Sequence, residues 1–99
     1  MTPQNPAQHA KIAADAVERP VRDVNSGRAQ WTHPHTIRQA TDDLTRLTGA
    51  LATALQQMTA GLGQLQGSKA HPSVGALHLA GQSATSATTQ LRQARRTMH

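Results

Sequence analysis

The fold is decided by residues 37–65, IRQATDDLTRLTGALATALQQMTAGLGQL. Large aliphatic side chains recur in this stretch at every seventh position, namely at Ile37, Leu44, Leu51, Met58 and Leu65. Three positions after the first four of them come Ala40, Leu47, Ala54 and Gly61, which completes an a/d heptad pattern. The pattern predicts one long α-helix with a broad apolar stripe.

The ends of this helix and a second helix are marked by local signals. Thr36 and Gln39 form a capping-box pair, and the glycines from Gly61 onward interrupt the periodicity, so the first helix should cover about residues 36–65. The second should cover about residues 73–98, because small apolar residues continue there in heptad spacing. Two helices joined by a short Gly-rich turn predict an all-α antiparallel hairpin.

The two stripes are expected to face each other, leucine-rich against alanine-rich. The predicted contact residues are Ile37, Leu44, Leu47, Leu51, Leu55, Met58, Leu62 and Leu65 on the first helix and Leu77, Ala80, Ala84, Ala87, Leu91 and Ala94 on the second. Folding the chain near residues 67–70 also places Asp42 and Asp43 beside Arg95 and Arg96. The single acidic pair of the first helix would then meet the basic cluster of the second.

A hairpin with an alanine stripe buries little apolar surface, so it needs further packing. Only 1% of the residues are aromatic, which leaves few large side chains for a core. The simplest remedy is a homodimer that completes a four-helix bundle. Docking of an N-terminal helix and docking of a partner protein are the other two. The expected function is therefore non-enzymatic, acting by self-association or by docking to a partner protein.

Residues 1–35 read as an N-terminal arm, followed by the hairpin over residues 36–99. Asn5 and Pro6 can start a short helix, over about residues 6–19, that Pro20 is expected to end. A linker with turn-forming Asn25-Ser26-Gly27 follows. Trp31 either packs this linker against the hairpin or is a buried contact residue for a partner protein.

The composition offers little for catalysis. There is no cysteine, and the five Asp and Glu residues form no acid/base pair, since the adjacent Asp42 and Asp43 point to different helix faces. No phosphate-binding glycine loop or nucleophile elbow is present. We therefore expect neither an enzyme nor a cofactor, and no small-molecule substrate is evident.

The net charge of +5 is uneven along the chain. Arg92, Arg95 and Arg96 form a basic helical stripe that supplies most of the excess in the last third. The stripe is either a last-turn cation cluster favoured by the helix dipole or a contact for an anion such as nucleic acid. A nucleic-acid accessory role is thus the alternative function.

The six histidines do not define a metal site. His33 and His35 flank Pro34, and His71 precedes Pro72. Each His-Pro pair therefore marks the start of a helix. A metal site needs three or four converging ligands, and spacing fixes no third one. We therefore predict no bound metal.

Residues 47–68 contain no acidic or basic side chain, but their glutamines and threonines argue against a membrane span. The start of the chain shows neither a basic region nor an apolar run, as a secretory leader would. A cytoplasmic location is expected, with signal-independent export as the open alternative.

The predicted hairpin over about residues 36–98, with helices rich in Ala, Gln and Thr, resembles the small secreted helical hairpins of the WXG100 class. The resemblance is one of architecture, and it implies a secreted helical-hairpin protein. Two marks of that class are missing: the turn region, residues 61–71, has no Trp-x-Gly, and the chain has no Tyr for the C-terminal export motif.

Overall fold

The computed structural model describes residues 6–65 and 72–98, and within these residues it contains helices and no strand. The helices are α1 (Ala7–Asn25), α2 (Pro34–Leu65) and α3 (Pro72–Thr97). The all-α class predicted from the heptad pattern is confirmed. Contacts divide the chain into two compact units, Met1–Pro34 and His35–His99.

Helix α1 is longer than the sequence predicted. Pro20 was expected to end it, but the helix continues through Pro20 to Asn25. Its end is a Schellman motif, in which the amide of Arg28 donates to the carbonyl of Asp23 and the amide of Gly27 donates to that of Val24. Gly27 has a φ of 81°, the left-handed conformation that this motif requires. The cap therefore lies at the predicted turn residues, beyond the proline.

Helix α1 buries none of its residues. Ile12, Val17 and Val21 are all exposed. Two surface ion pairs support the helix at i, i+4 spacing, one between Lys11 and Asp15 and one between Glu18 and Arg22. Such exposed pairs contribute about 0.3–0.5 kcal/mol each, so α1 has modest stability of its own.

Both long helices begin at a proline, which lacks the amide hydrogen that the first turn leaves unbonded. Helix α2 therefore starts at Pro34, two residues before the predicted capping box, and α3 starts at Pro72. The predicted turn at residues 67–70 lies outside the described residues.

Helices α2 and α3 pair in antiparallel fashion. Nε of Arg95 lies 3.0 Å from a carboxylate oxygen of Asp42, near the start of α2 and the end of α3. Farther along, the hydroxyls of Thr48 and Thr88 are 2.7 Å apart. The predicted meeting of the acidic pair with the basic cluster is confirmed for Asp42 and Arg95.

The contact between α2 and α3 is lined by small residues. On α2 the buried residues are Thr41 and Ala52, and on α3 they are Gly81, Ala84 and Thr88. Half-buried residues continue the same two lines in alternating steps of three and four: Thr45, Thr48, Leu55, Thr59 and Leu62 on α2, and Val74, Leu77, Leu91, Arg95 and Met98 on α3. Both helices therefore contact each other along heptad seams. Leu55, Leu62, Leu77, Ala84 and Leu91 were predicted in these seams, and the remaining seam residues were not.

The leucine stripe of α2 does not face α3. Leu44, Leu51, Met58 and Leu65 are 39%, 47%, 54% and 84% exposed, respectively. On α3, Ala80 and Ala94 are also exposed, and Gly81 and Thr88 occupy the contact instead. The physical reason is that threonine hydroxyls can turn inward when they bond to the carbonyl one turn back, as those of Thr41 and Thr88 do at 2.7 Å and 2.8 Å.

Candidate functional site

The exposed leucines of α2 form a regular row on one side of the hairpin. Leu44, Leu51 and Met58 recur every seven residues, and each lies three positions after a seam threonine or leucine. A step of three turns about 300° around a helix, so this row sits next to the seam and not opposite it. It borders the groove between the two helices.

The alanines of α3 border the same side of the hairpin. Thr88 lies beside Gly49 and Arg95 pairs with Asp42, so the line of α3 that contains Thr88 and Arg95 faces the edge of α2 that carries Gly49 and Asp42. The neighbouring line of α3, which contains Ala84 and Leu91, therefore faces the opposite edge of α2, where the leucine row lies. Ala80, Ala87 and Ala94, which are spaced by seven, lie next to that line and extend the surface that carries the leucine row. We define the apolar face by Leu44, Leu51 and Met58 of α2 and Ala80, Ala87 and Ala94 of α3.

The other side of the hairpin is polar. One shallow groove, of about 430 Å³, is lined by Gln56, His78, Gly81, Gln82, Thr85 and Ser86. A second, of about 290 Å³, is lined by Asp42, Thr45, Arg92, Arg95 and Arg96. We call this side the polar face. The hairpin is therefore amphipathic across its width, with aliphatic side chains on one side and polar ones on the other.

Charge is also unevenly distributed along the length of the hairpin. Residues 47–65 and 72–91 contain no Asp, Glu, Lys or Arg. The charged residues of α2 and α3 all lie within residues 38–46 and 92–96. Because the helices are antiparallel, these two segments meet at one end, which we call the charged end.

One ion pair joins the helices at the charged end. Arg95 and Asp42 have side chains 38% and 57% exposed, so water screens their attraction. Arg92 and Arg96 line the same groove but form no ion pair with any residue that the structure describes. The basic stripe predicted from the sequence is thus partly neutralised, at Arg95 alone.

The structure separates the predicted contact residues into three groups. In the α2–α3 contact, or partly covered beside it, are Ile37, Leu47, Leu55, Leu62, Leu77, Ala84, Ala87 and Leu91. Exposed are Leu44, Leu51, Met58, Leu65, Ala80 and Ala94. Trp31 belongs to the first unit and is 54% exposed. As an interface with another chain, all of these residues stay a prediction.

Sequence reasoning missed the threonines of the seam. Thr41, Thr45, Thr48 and Thr88 were not predicted to be in contact, because threonine counts as polar in a hydrophobic pattern. Their spacing of three and four residues along α2 was the available signal. Each hydroxyl in that α2 row donates to a carbonyl three or four residues earlier, at 2.6–3.1 Å.

The described residues contain no group of three or more His, Asp or Glu side chains that could hold a metal ion. His33 and His35 each take part in interactions of their own, and His71 and His99 lie outside the described residues. None of the helices in the described ranges is both long enough and apolar enough to cross a bilayer.

The chain matches no protein-family model, no curated protein and no solved structure.

Proposed function

We propose that the protein acts by self-association, with the apolar face of one hairpin packed against the same face of a second copy in a four-helix bundle. The observation that carries the proposal is the exposed row of Leu44, Leu51 and Met58, beside a hairpin whose only buried apolar side chains among the described residues are those of Ala52 and Ala84. A domain this small needs more buried apolar surface than two alanines provide. The proposed role is non-enzymatic and uses no cofactor.

The size of the apolar face suits a weak dimer. The row from Leu44 to Met58 covers 14 residue steps, or about 21 Å of helix. Two helices side by side are roughly 18 Å wide, so the face covers on the order of 380 Å² per copy. Two such faces together bury about 760 Å², less than the ~1,000 Å² of a stable interface, so the dimer should be populated at high protein concentration.

A second copy is a better occupant than an unrelated partner because of charge. The apolar face has no acidic or basic residue between positions 47 and 65 or between 72 and 91. A partner chosen by ion pairing would need such residues along the flanks, whereas an isologous dimer needs only a self-complementary shape. Small alanines on α3 opposite leucines on α2 of the second copy supply that shape.

Sedimentation equilibrium tests the proposal directly. From low micromolar to roughly 100 µM protein, a range in which a micromolar dimer populates both states, the mass should approach twice the 10.5 kDa of the chain. Leu51→Asp should shift the mass to that of the monomer, because a carboxylate in an apolar interface loses its hydration without a partner. The matched control is Thr53→Asp, which adds the same charge to an exposed position of α2 away from the leucine row.

A second measurement does not depend on whether the Leu51→Asp variant folds. The chain has no cysteine, so a single introduced thiol reports on one position. Leu51 and Ala87 lie midway along the apolar face, so a mixture of the Leu51→Cys and Ala87→Cys variants should form a disulfide-linked dimer under mild oxidation. A mixture of Thr53→Cys and Ala87→Cys should not. A strictly monomeric protein, or equal cross-linking in both mixtures, would overturn the proposal and favour a foreign partner.

A further inference from the structure

The charged end of the hairpin carries more positive charge than its own carboxylates neutralise. Helices α2 and α3 contain five arginines and two aspartates, a net charge of +3. The dipoles of the antiparallel helices oppose each other at this end, where α2 begins and α3 ends. The arginines therefore set the sign of the local field.

Three of these arginines are available to a ligand. Arg92 and Arg96 lie one helical turn apart on the wall of the 290 Å³ groove. Arg46 follows Asp42 by one turn on α2, which places it on the same side of that helix. Among the described residues, Asp42 pairs with Arg95, and no carboxylate pairs with Arg46, Arg92 or Arg96.

We propose that the charged end binds the phosphate backbone of duplex nucleic acid, with Arg46, Arg92 and Arg96 as the contacting residues. A guanidinium is permanently charged and presents a planar fork of donors that matches phosphate oxygens. A duplex carries one negative charge for about every 1.7 Å of its axis. Several arginines of one patch can therefore contact phosphates at the same time.

The absence of aromatic residues favours a duplex over a single strand. The sequence has no Phe or Tyr, and its one Trp belongs to the other compact unit. Single-strand binding relies on bases stacked on aromatic rings, whereas backbone contact with a duplex relies on charge alone. Binding should accordingly be independent of base sequence. The site lies on the polar face, so it does not depend on the proposed dimer contact.

Fluorescence anisotropy with a labelled DNA duplex of mixed sequence tests the proposal on the full chain. With three phosphate contacts, the affinity should fall roughly 40-fold between 50 and 200 mM salt, since each contact adds about 0.9 to the slope of log K against log salt. The double variant Arg92→Gln, Arg96→Gln keeps one contact, so its affinity should fall only about 3.5-fold over the same range. Asp42→Asn removes a repelling carboxylate and should tighten binding.

The matched control is Arg19→Gln with Arg28→Gln, which removes the same charge from the other compact unit. It should bind the duplex almost as the unaltered protein does. Equal weakening in both double variants would show attraction by net charge alone and would overturn the site. Failure to bind the duplex, or binding to polyglutamate but not to the duplex, would overturn the proposal as well, the latter in favour of an acidic polypeptide.

Discussion

The hydroxyl oxygen of Thr88 lies 2.7 Å from that of Thr48, and this contact links α2 and α3 near the middle of their seam. Thr88 is among the most buried side chains of the described chain, at 5% exposure. Its hydroxyl also lies 2.8 Å from the carbonyl of Ala84, and that of Thr48 lies 3.1 Å from the carbonyl of Thr45. Each threonine hydroxyl has one proton, so only two of these three short contacts can be hydrogen bonds at a time. The pair therefore stabilises the seam less than three hydrogen bonds would.

A double-mutant cycle on Thr48 and Thr88 should reveal this balance. Valine has nearly the shape of threonine, so Thr88→Val alone removes the link and should lower the free energy of unfolding by about 1 kcal/mol. Thr48→Val with Thr88→Val should be close to neutral or stabilising, because neither hydroxyl of the pair remains to be satisfied. Urea denaturation at one fixed protein concentration measures both. Strictly additive losses would contradict the coupling.

The sequence was sufficient to predict the helices but not which of their faces meet. Heptad spacing of Leu44, Leu51 and Met58 establishes that a stripe needs burial, yet it carries no information about which neighbour supplies it. The threonine line on α2 has the same period and lies beside the leucine line. Its inward position depends on hydroxyl bonds to the helix's own carbonyls, a local option that hydrophobic counting ignores.

Helix α1 shows a second limit of sequence reasoning. A proline inside a helix removes one hydrogen bond and crowds the preceding turn, which is why Pro20 was expected to end α1. The structure retains helix on both sides of Pro20 and ends it at the Schellman motif of Gly27. The Schellman cap at Gly27 stabilises the last turns of α1 by more than Pro20 destabilises them. The sequence shows both features but not the relative size of their free energies.

Gly81 is expected to tolerate a side chain although it lies in the seam. A Cβ atom there would be 3.7 Å from Cβ of Leu55 and 3.8 Å from the carbonyl oxygen of Ala52, which are ordinary contacts. Gly81→Ala should therefore raise the free energy of unfolding by about 1 kcal/mol through helix propensity and reduced freedom of the unfolded chain. Thermal unfolding followed by circular dichroism measures this as a higher Tm.

The control for this substitution is Gly75→Ala, where a Cβ meets no atom within 4 Å. It should give a gain of similar size from propensity alone. A loss of stability at Gly81 combined with a gain at Gly75 would show that the helices approach more closely in solution than the structure indicates.

The ion pair between Asp42 and Arg95 should affect the pairing direction more than stability. Both side chains are more than a third exposed, so Asp42→Asn should cost less than about 1 kcal/mol. The difference should disappear near 1 M salt, where the screening length is about 3 Å. Exchanging the charges, Asp42→Arg with Arg95→Asp, should restore only part of the low-salt stability, because it places an aspartate in the last turn of α3 against the helix dipole. A cost that persists at high salt would instead indicate lost packing around the arginine stem.

The Schellman cap of α1 gives a prediction for the N-terminal unit. Gly27 has a φ of 81°, and an alanine there would strain the backbone by about 1 kcal/mol. Gly27→Ala should therefore weaken the hydrogen bonds that the amides of residues 27 and 28 donate to the carbonyls of Val24 and Asp23. The change should be seen as faster hydrogen exchange at residues 27 and 28. Gly27→Asn should have a smaller effect, since asparagine enters the left-handed region more readily. Equal exchange in all three proteins would mean that α1 does not end at this cap in solution.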